Sequence, residues 1–213
     1  MTNASLRSRK QQFVRDAIFD AAIEIFARKG FDDTTVEDVA RAAGLSSASF
    51  FRYFSSKDDL LAQNVVKYGT ALVEAIKACP PSFSAFQIMR ETVLSIARQK
   101  VTQPRARQVI DISLRSASAQ QAHGSRMIEV EERVAIAFAE RIKGLSKDDL
   151  ETRLLAAMTV SAMNVAIMSW YRGDFPDLSA AVEQVFSRLT RIVCDQTSAN
   201  EIPRKASVSG KPA

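Results

Sequence analysis

The chain has 213 residues, 46% of them hydrophobic, enough to bury one large core or two small ones. Seven Gly and six Pro favour helix, and two cysteines with a lone His123 offer no CxxC, no Cys/His cluster and no nucleophile–base pair, so no metal site, cofactor or catalytic residue is expected. The net charge of +5 permits a polyanionic partner without requiring one, because the first 60 residues hold nine Lys/Arg against nine Asp/Glu.

Residues 1–8 read as a disordered basic arm carrying Arg7, with Arg9 and Lys10 just behind it. A first helix is expected from Arg9 to Lys29, because Val14, Ile18, Ala22, Ile25 and Phe26 recur at helical spacing and Gly30 stops the run. Thr34-x-x-Glu37 has the form of a capping box for a second helix over Val36 to Ala43. Val39 and the small Ala40 face the core, Gly44 supplies a left-handed turn, Leu45 tucks under it and Ser46 caps a third helix over Ser47 to Phe54. Phe50 and Phe54 point inward against Val39, Ile25 and Phe26. This is the spacing of a helix-turn-helix, although the pattern alone also fits an ordinary helical hairpin.

Ser56-x-x-Asp59 opens a fourth helix that runs to Ala78, where Pro80-Pro81 breaks it. Helices are expected from Ser82 or Ser84 to Val101, from Pro104 to Arg115 and from Ser116 to Lys143. Another runs from Ser146-x-x-Asp149 to Tyr171, and a last one from Asp177 to Gln196. Leu154 to Tyr171 is free of charge and long enough to approach a membrane span, but Thr159, Ser161, Asn164 and Ser169 inside it favour a buried or interface helix, so no membrane is implied. Residues 197–213 read as a disordered tail. The chain is therefore all-α with about nine helices, divided into the arm (1–8), a three-helix head (9–56), a linking helix (57–79), a larger C-terminal bundle (80–196) and the tail (197–213).

The run AIFDAAIEIFARKGFDDTTVEDVARAAGLSSASFFRYFSSKDDLL, and within it GF, TTVEDVA, AGLS and YFSSKDDLL, resembles the TetR-type transcriptional regulators. The resemblance implies a cytoplasmic, homodimeric repressor that binds a palindromic duplex DNA operator and leaves it when a small apolar or amphipathic effector binds. The groups it brings to DNA are Thr35 and Val36 at the start of the second helix, Ser46, Ser47, Ala48 and Ser49 in the first turn of the third, then Phe51, Arg52, Tyr53 and Lys57. Phe51 stands where the family often has a tyrosine, so one phosphate contact is missing. Lys57 is expected to reach the backbone from a helix N-terminus.

In the C-terminal part, Phe86, Met89, Val93, Ile128, Met163, Ile167 and Trp170 are soft or aromatic residues on helices that can converge on an effector pocket; such stripes also make ordinary cores. Met158, Ala162 and Val165 with Val182, Val185, Phe186, Leu189 and Ile192 form two seams suited to an isologous four-helix dimer interface. The Arg-rich stretch from Arg90 to Arg115 and the Trp170-Tyr171-Arg172-Gly173 ending are similar to the branch with acyl-CoA-like ligands. A ligand-independent DNA-binding protein that acts through a protein partner is the alternative.

Overall fold

A computed structural model describes residues 3–99 and 103–199, with side chains except at 3–6, 8, 103–105, 123, 125 and 193–199. Among these residues every regular element is a helix: α1 (Asn3–Lys29), α2 (Val36–Ala42), α3 (Ser47–Phe51), α4 (Lys57–Ala78), α5 (Ala85–Arg98), α6 (Gln103–Arg115), α7 (Ala117–Arg141), α8 (Leu150–Tyr171) and α9 (Leu178–Ala199).

Two apolar cores organise these helices. The smaller one joins Ile18, Ala22, Ile23, Ile25 and Phe26 of α1 to Phe31, to Val39 and Ala40 of α2, and to Phe50 and Phe54 around α3. Aromatic rings carry much of it: Phe26 meets Phe31 edge-on at 4.9 Å between centroids, and Phe50 lies 5.6 Å from Phe54. Each such ring removed from water contributes about 2–3 kcal/mol, which lets so few residues hold a head together. The larger core gathers α5, α7, α8 and α9 around Val65, Leu72 and Ile76 of α4. Helix α4 serves both, since Leu60 and Leu61 belong to the head core and Val65 onward to the bundle. Ile112 of α6 and Ala119 of α7 are buried in the head core, so the α6–α7 corner is seated on α1.

Helix α8 is apolar and long enough by composition to cross a membrane. Here it packs against α5, α7 and α9, burying Ala156, Val160, Met163, Ala166 and Trp170.

Local chemistry shifts several expected boundaries. Helix α1 begins at Asn3, so the helix extends into the stretch expected to be an arm, and Arg7, Arg9 and Lys10 are exposed on it. Thr35, not Thr34, caps α2: its hydroxyl accepts from Asp38 N and Asp38 returns the bond to Thr35 N, both at 3.1 Å. Thr34 is buried and donates to Gly30 O at 2.6 Å, closing the end of α1 instead. Helix α3 stops at Phe51, where Arg52 N and Tyr53 N turn back to Ser49 O and Phe50 O. Before α8, Ser146 N donates to Asp149 Oδ2 at 2.6 Å in a turn, and Asp149 rather than Ser146 occupies the cap position. Helix α9 continues to Ala199, three residues into the expected tail; the remainder of the tail and the side chain of His123 lie outside the described residues.

Candidate nucleic-acid interface

The turn between α2 and α3 is closed by two backbone bonds. Leu45 N donates to Ala40 O at 2.8 Å and Gly44 N to Arg41 O at 3.1 Å, with Gly44 at φ 69°. These are the paired bonds that satisfy the last carbonyls of a helix, and they need a residue that tolerates positive φ. The turn sets α3 across α2 with Phe50 fully buried beneath it.

Locking Phe50 inward turns the opposite face of α3 to solvent. Ala48 and Arg52 are exposed, Phe51 is 54% exposed, and Ser47, Ser49 and Tyr53 are half-buried. Ser46 caps the helix by accepting from Ser49 N at 3.2 Å, its hydroxyl donates to Ser49 Oγ at 3.1 Å, and Arg52 donates to the same oxygen at 3.2 Å. Ser46, Ser49 and Arg52 thus form one short polar chain along the outer edge. The expected reading residues do come together on one face, with Arg52 as the cation on it.

At the entrance to α2, Thr35 is exposed beside the first-turn N–H groups, which favour an anion. Glu37 and Asp38 oppose it there. Asp38 is neutralised in part by the Lys29 ammonium, which hydrogen-bonds to it and, with the Thr35 backbone N–H, holds its carboxyl down to about 2.

Lys57 makes intrachain contacts that the sequence did not announce. Its ammonium donates to the carbonyls of Phe31, Asp32 and Thr34 at 2.6, 3.0 and 3.1 Å and lies 4.6 Å from the centre of the Phe31 ring. An ammonium has three protons, and all three are spent on the α1–α2 loop. In this structure Lys57 staples the head from within.

The residues expected to line an effector pocket divide. Met89, Val93, Met163 and Trp170 are buried together in the bundle core, Ile167 is half-buried, and Phe86 stacks edge-on against Phe186 at 5.8 Å. Ile128 is 65% exposed and belongs instead to a surface groove of about 660 Å³ between α7 and α8, because its side of α7 faces away from that core. Arg107 lies over the Trp170 ring at 4.6 Å and donates to the carbonyls of Trp170 and Tyr171, while Arg98 pairs with Glu91. Arg90 and Arg115 remain exposed. One residue has no sequence signal of this kind: the Tyr68 hydroxyl is buried with no partner in the bundle, and burial pushes its pKa up.

The dimer seams also need adjustment. Ala162, Val182 and Phe186 are buried in the chain's own core and offer no free surface to a second copy. Helix α8 instead presents Leu150, Leu154, Met158, Ser161 and Val165 outward, a spacing of four, four, three and four residues that keeps one stripe in line. On α9, Val185 and Leu189 are half-buried and Ile192 is exposed.

Comparison with known proteins agrees with this geometry. The family model described as "Bacterial regulatory proteins, tetR family" matches residues 18–63, and the one described as "MftR C-terminal domain" matches residues 83–193. The HTH-type transcriptional regulator TcmR of Streptomyces glaucescens is 27% identical over 182 residues, covering 82% of this chain and 80% of TcmR. Among solved structures, NalD of Pseudomonas aeruginosa, the secondary repressor of a multidrug efflux pump, superposes with a TM-score of 0.57 at 18% identity over 86% of this chain and 96% of its own. FadR of Bacillus subtilis, solved with stearoyl-CoA, gives 0.55 at 20% over 80% and 95%. Identities this low speak for the fold alone. The C-terminal model by itself spans more than half of the 213 residues and the head model covers the helix-turn-helix, so the chain belongs to the tetR family of bacterial regulatory proteins, DNA-binding transcription regulators and not enzymes.

Proposed function

We propose that this regulator is a homodimeric repressor that reads a near-palindromic duplex with the outer face of α3 and is released by a small apolar or amphipathic effector, working in the cytoplasm where that DNA lies. The observation that supports the DNA part is the outer side of α3, where Ala48, Phe51 and Arg52 are exposed and Ser47 and Ser49 half-buried, with Thr35 exposed and Val36 half-buried at the capped start of α2. Short side chains at 47–49 let the helix sit deep in a major groove, Arg52 offers a guanidinium to a guanine edge or a phosphate, and Tyr53 keeps a hydroxyl at the rim. Ser46 and Lys57 contribute by holding this surface in place.

Dimerisation follows from the outward stripe on α8 (Leu154, Met158, Val165) together with Val185, Leu189 and Ile192 of α9. One head buries too little DNA to be selective, whereas two heads on a shared duplex multiply their contacts.

The effector class is supported by the composition of the bundle core and by the stearoyl-CoA in the FadR structure. A ligand entering between α5 and α8 displaces Met89, Val93 or Met163 from contact, and α4 packs Tyr68, with its unpartnered hydroxyl, against the same core. Exposed Arg90 and Arg115 suit an anionic head group. Differential scanning fluorimetry with stearoyl-CoA, palmitate and unacylated coenzyme A tests this: stabilisation by the two compounds that carry an alkyl chain, stearoyl-CoA and palmitate, and not by free coenzyme A is expected. No stabilisation by any of them removes the acyl class.

A further inference from the structure

The α1–α2 loop is held from two sides by groups that stand apart from the reading face. Lys57 holds it from α4 through three carbonyls. From the bundle side, Ser116 donates to Asp32 Oδ1 at 3.0 Å, and Ser118 donates to the same oxygen. Ser116 also caps α7 by accepting from Ala119 N at 3.1 Å, and its hydroxyl lies 3.0 Å from that of Ser118. The two serines stand 84 and 86 residues from Asp32 in sequence, so this contact is purely tertiary. Their hydroxyls, with Lys57 nearby, hold the Asp32 carboxyl below its ordinary value.

Around this polar point the contact is apolar: Ile112 and Ala119 are buried in the head core and Val109 packs on it. Such surfaces tolerate sliding, whereas a carboxylate that accepts two hydroxyls fixes direction. The far side of the same corner is also tied, since Arg107 of α6 donates to the carbonyls ending α8 and Tyr171 donates to Asp111. A polar tie therefore lies at each end of the α6 route from α8 to the loop.

We infer that Asp32 is a positioning residue that, with Ser116 and Ser118, fastens the α1–α2 loop to the α6–α7 corner, so that the state of the C-terminal bundle sets the position of the start of α2 at Thr35. Asp32 lies three residues ahead of Thr35, close enough to move the start of α2 with it. Asp32 itself is exposed while Ser116 is buried, so the contact lies at the edge of the joint, and its part is orientation. The inference rests on the DNA-reading function proposed above.

The test is amide hydrogen exchange on the full chain, free and bound to a duplex selected by the wild-type protein from a random pool. Ser118→Ala, a change on the bundle side, speeds exchange over residues 33–37 by about threefold or more, and Asp32→Ala does the same over residues 118–121. Asp32→Asn keeps an acceptor oxygen and restores wild-type exchange. The selected duplex slows residues 118–121 in the wild type and in Asp32→Asn but not in Asp32→Ala, as reciprocal coupling requires. Unchanged exchange at 33–37 in Ser118→Ala overturns the inference, as does duplex-induced slowing that survives in Asp32→Ala. If the pool yields no preferred duplex, the DNA-reading function fails, and the exchange across the joint in the free protein still decides the role of Asp32.

Discussion

At Lys57, alanine leaves three carbonyl oxygens of a half-buried loop without their cation. Hydrogen bonds to charged groups contribute about 1.5–3 kcal/mol, so urea unfolding of Lys57→Ala is expected to show a loss of about that size. The dependence of operator binding on salt separates a staple from a phosphate ligand. Each phosphate contact adds about 0.9 to the slope of log affinity against log salt, and Lys57→Ala keeps the wild-type slope while Arg52→Ala lowers it if the guanidinium meets a phosphate. Phe51 is the complementary case. Phe51→Tyr returns a hydroxyl to an exposed position beside the proposed backbone track and is expected to tighten specific binding about tenfold in fluorescence anisotropy, the effect of one hydrogen bond to a charged group. Unchanged affinity means that α3 sits with this side turned from the phosphates. Asp38 gives a pH signature. Its folded carboxyl is held down to about 2, below its ordinary value of 3.8, so its contribution is present above that ordinary value and is lost as pH falls through the window between the two. Asp38→Asn is expected to flatten that part of an acid-unfolding curve.

At the scale of elements, glycines mark where the backbone is constrained. An added Cβ at Gly44 meets nothing within 4 Å, so Gly44→Ala carries only the backbone cost of positive φ, about 1–2 kcal/mol in chemical unfolding. Gly69 is the opposite: its Cβ would stand 2.8 Å from Val130 Cγ2, where α4 crosses α7. Gly69→Ala is expected to lower the melting temperature, and Val130→Ala in the same chain to recover part of it by removing the clash. Two equal and additive losses would mean that the crossing adjusts elsewhere. The helices themselves were legible in the sequence because caps and stops are local: Gly44, Ser56, Ser84 and Ser116 act within three or four residues. The one-residue error at α2 arose because both Thr34 and Thr35 can cap, and the choice falls to the end of α1, where Gly30 O, four residues back, takes the Thr34 hydroxyl. The three-carbonyl staple at Lys57, the Asp32 contacts and the inward turn of Ala162, Val182 and Phe186 depend on partners 23 or more residues away or on which neighbour a helix face meets, and periodicity cannot tell an inward stripe from an interface stripe.

For the whole molecule, the proposal joins two heads through the outward face of α8. Val165 is 54% exposed, so Val165→Asp leaves the chain's own core intact and is expected to shift sedimentation from dimer to monomer with far-ultraviolet circular dichroism unchanged. Operator affinity then falls by about a hundredfold, because the second head no longer binds in the same event. Buried Ala162 is the control: Ala162→Asp is expected to unfold the bundle rather than to split a dimer. The most direct measurement compares the binding of full-length protein to its selected duplex and to a scrambled duplex of equal length at one fixed salt concentration. The expected result is a preference of about a thousandfold or more, reduced by Ser49→Ala and Arg52→Ala together. Equal affinity for both duplexes would contradict a sequence-reading face on α3.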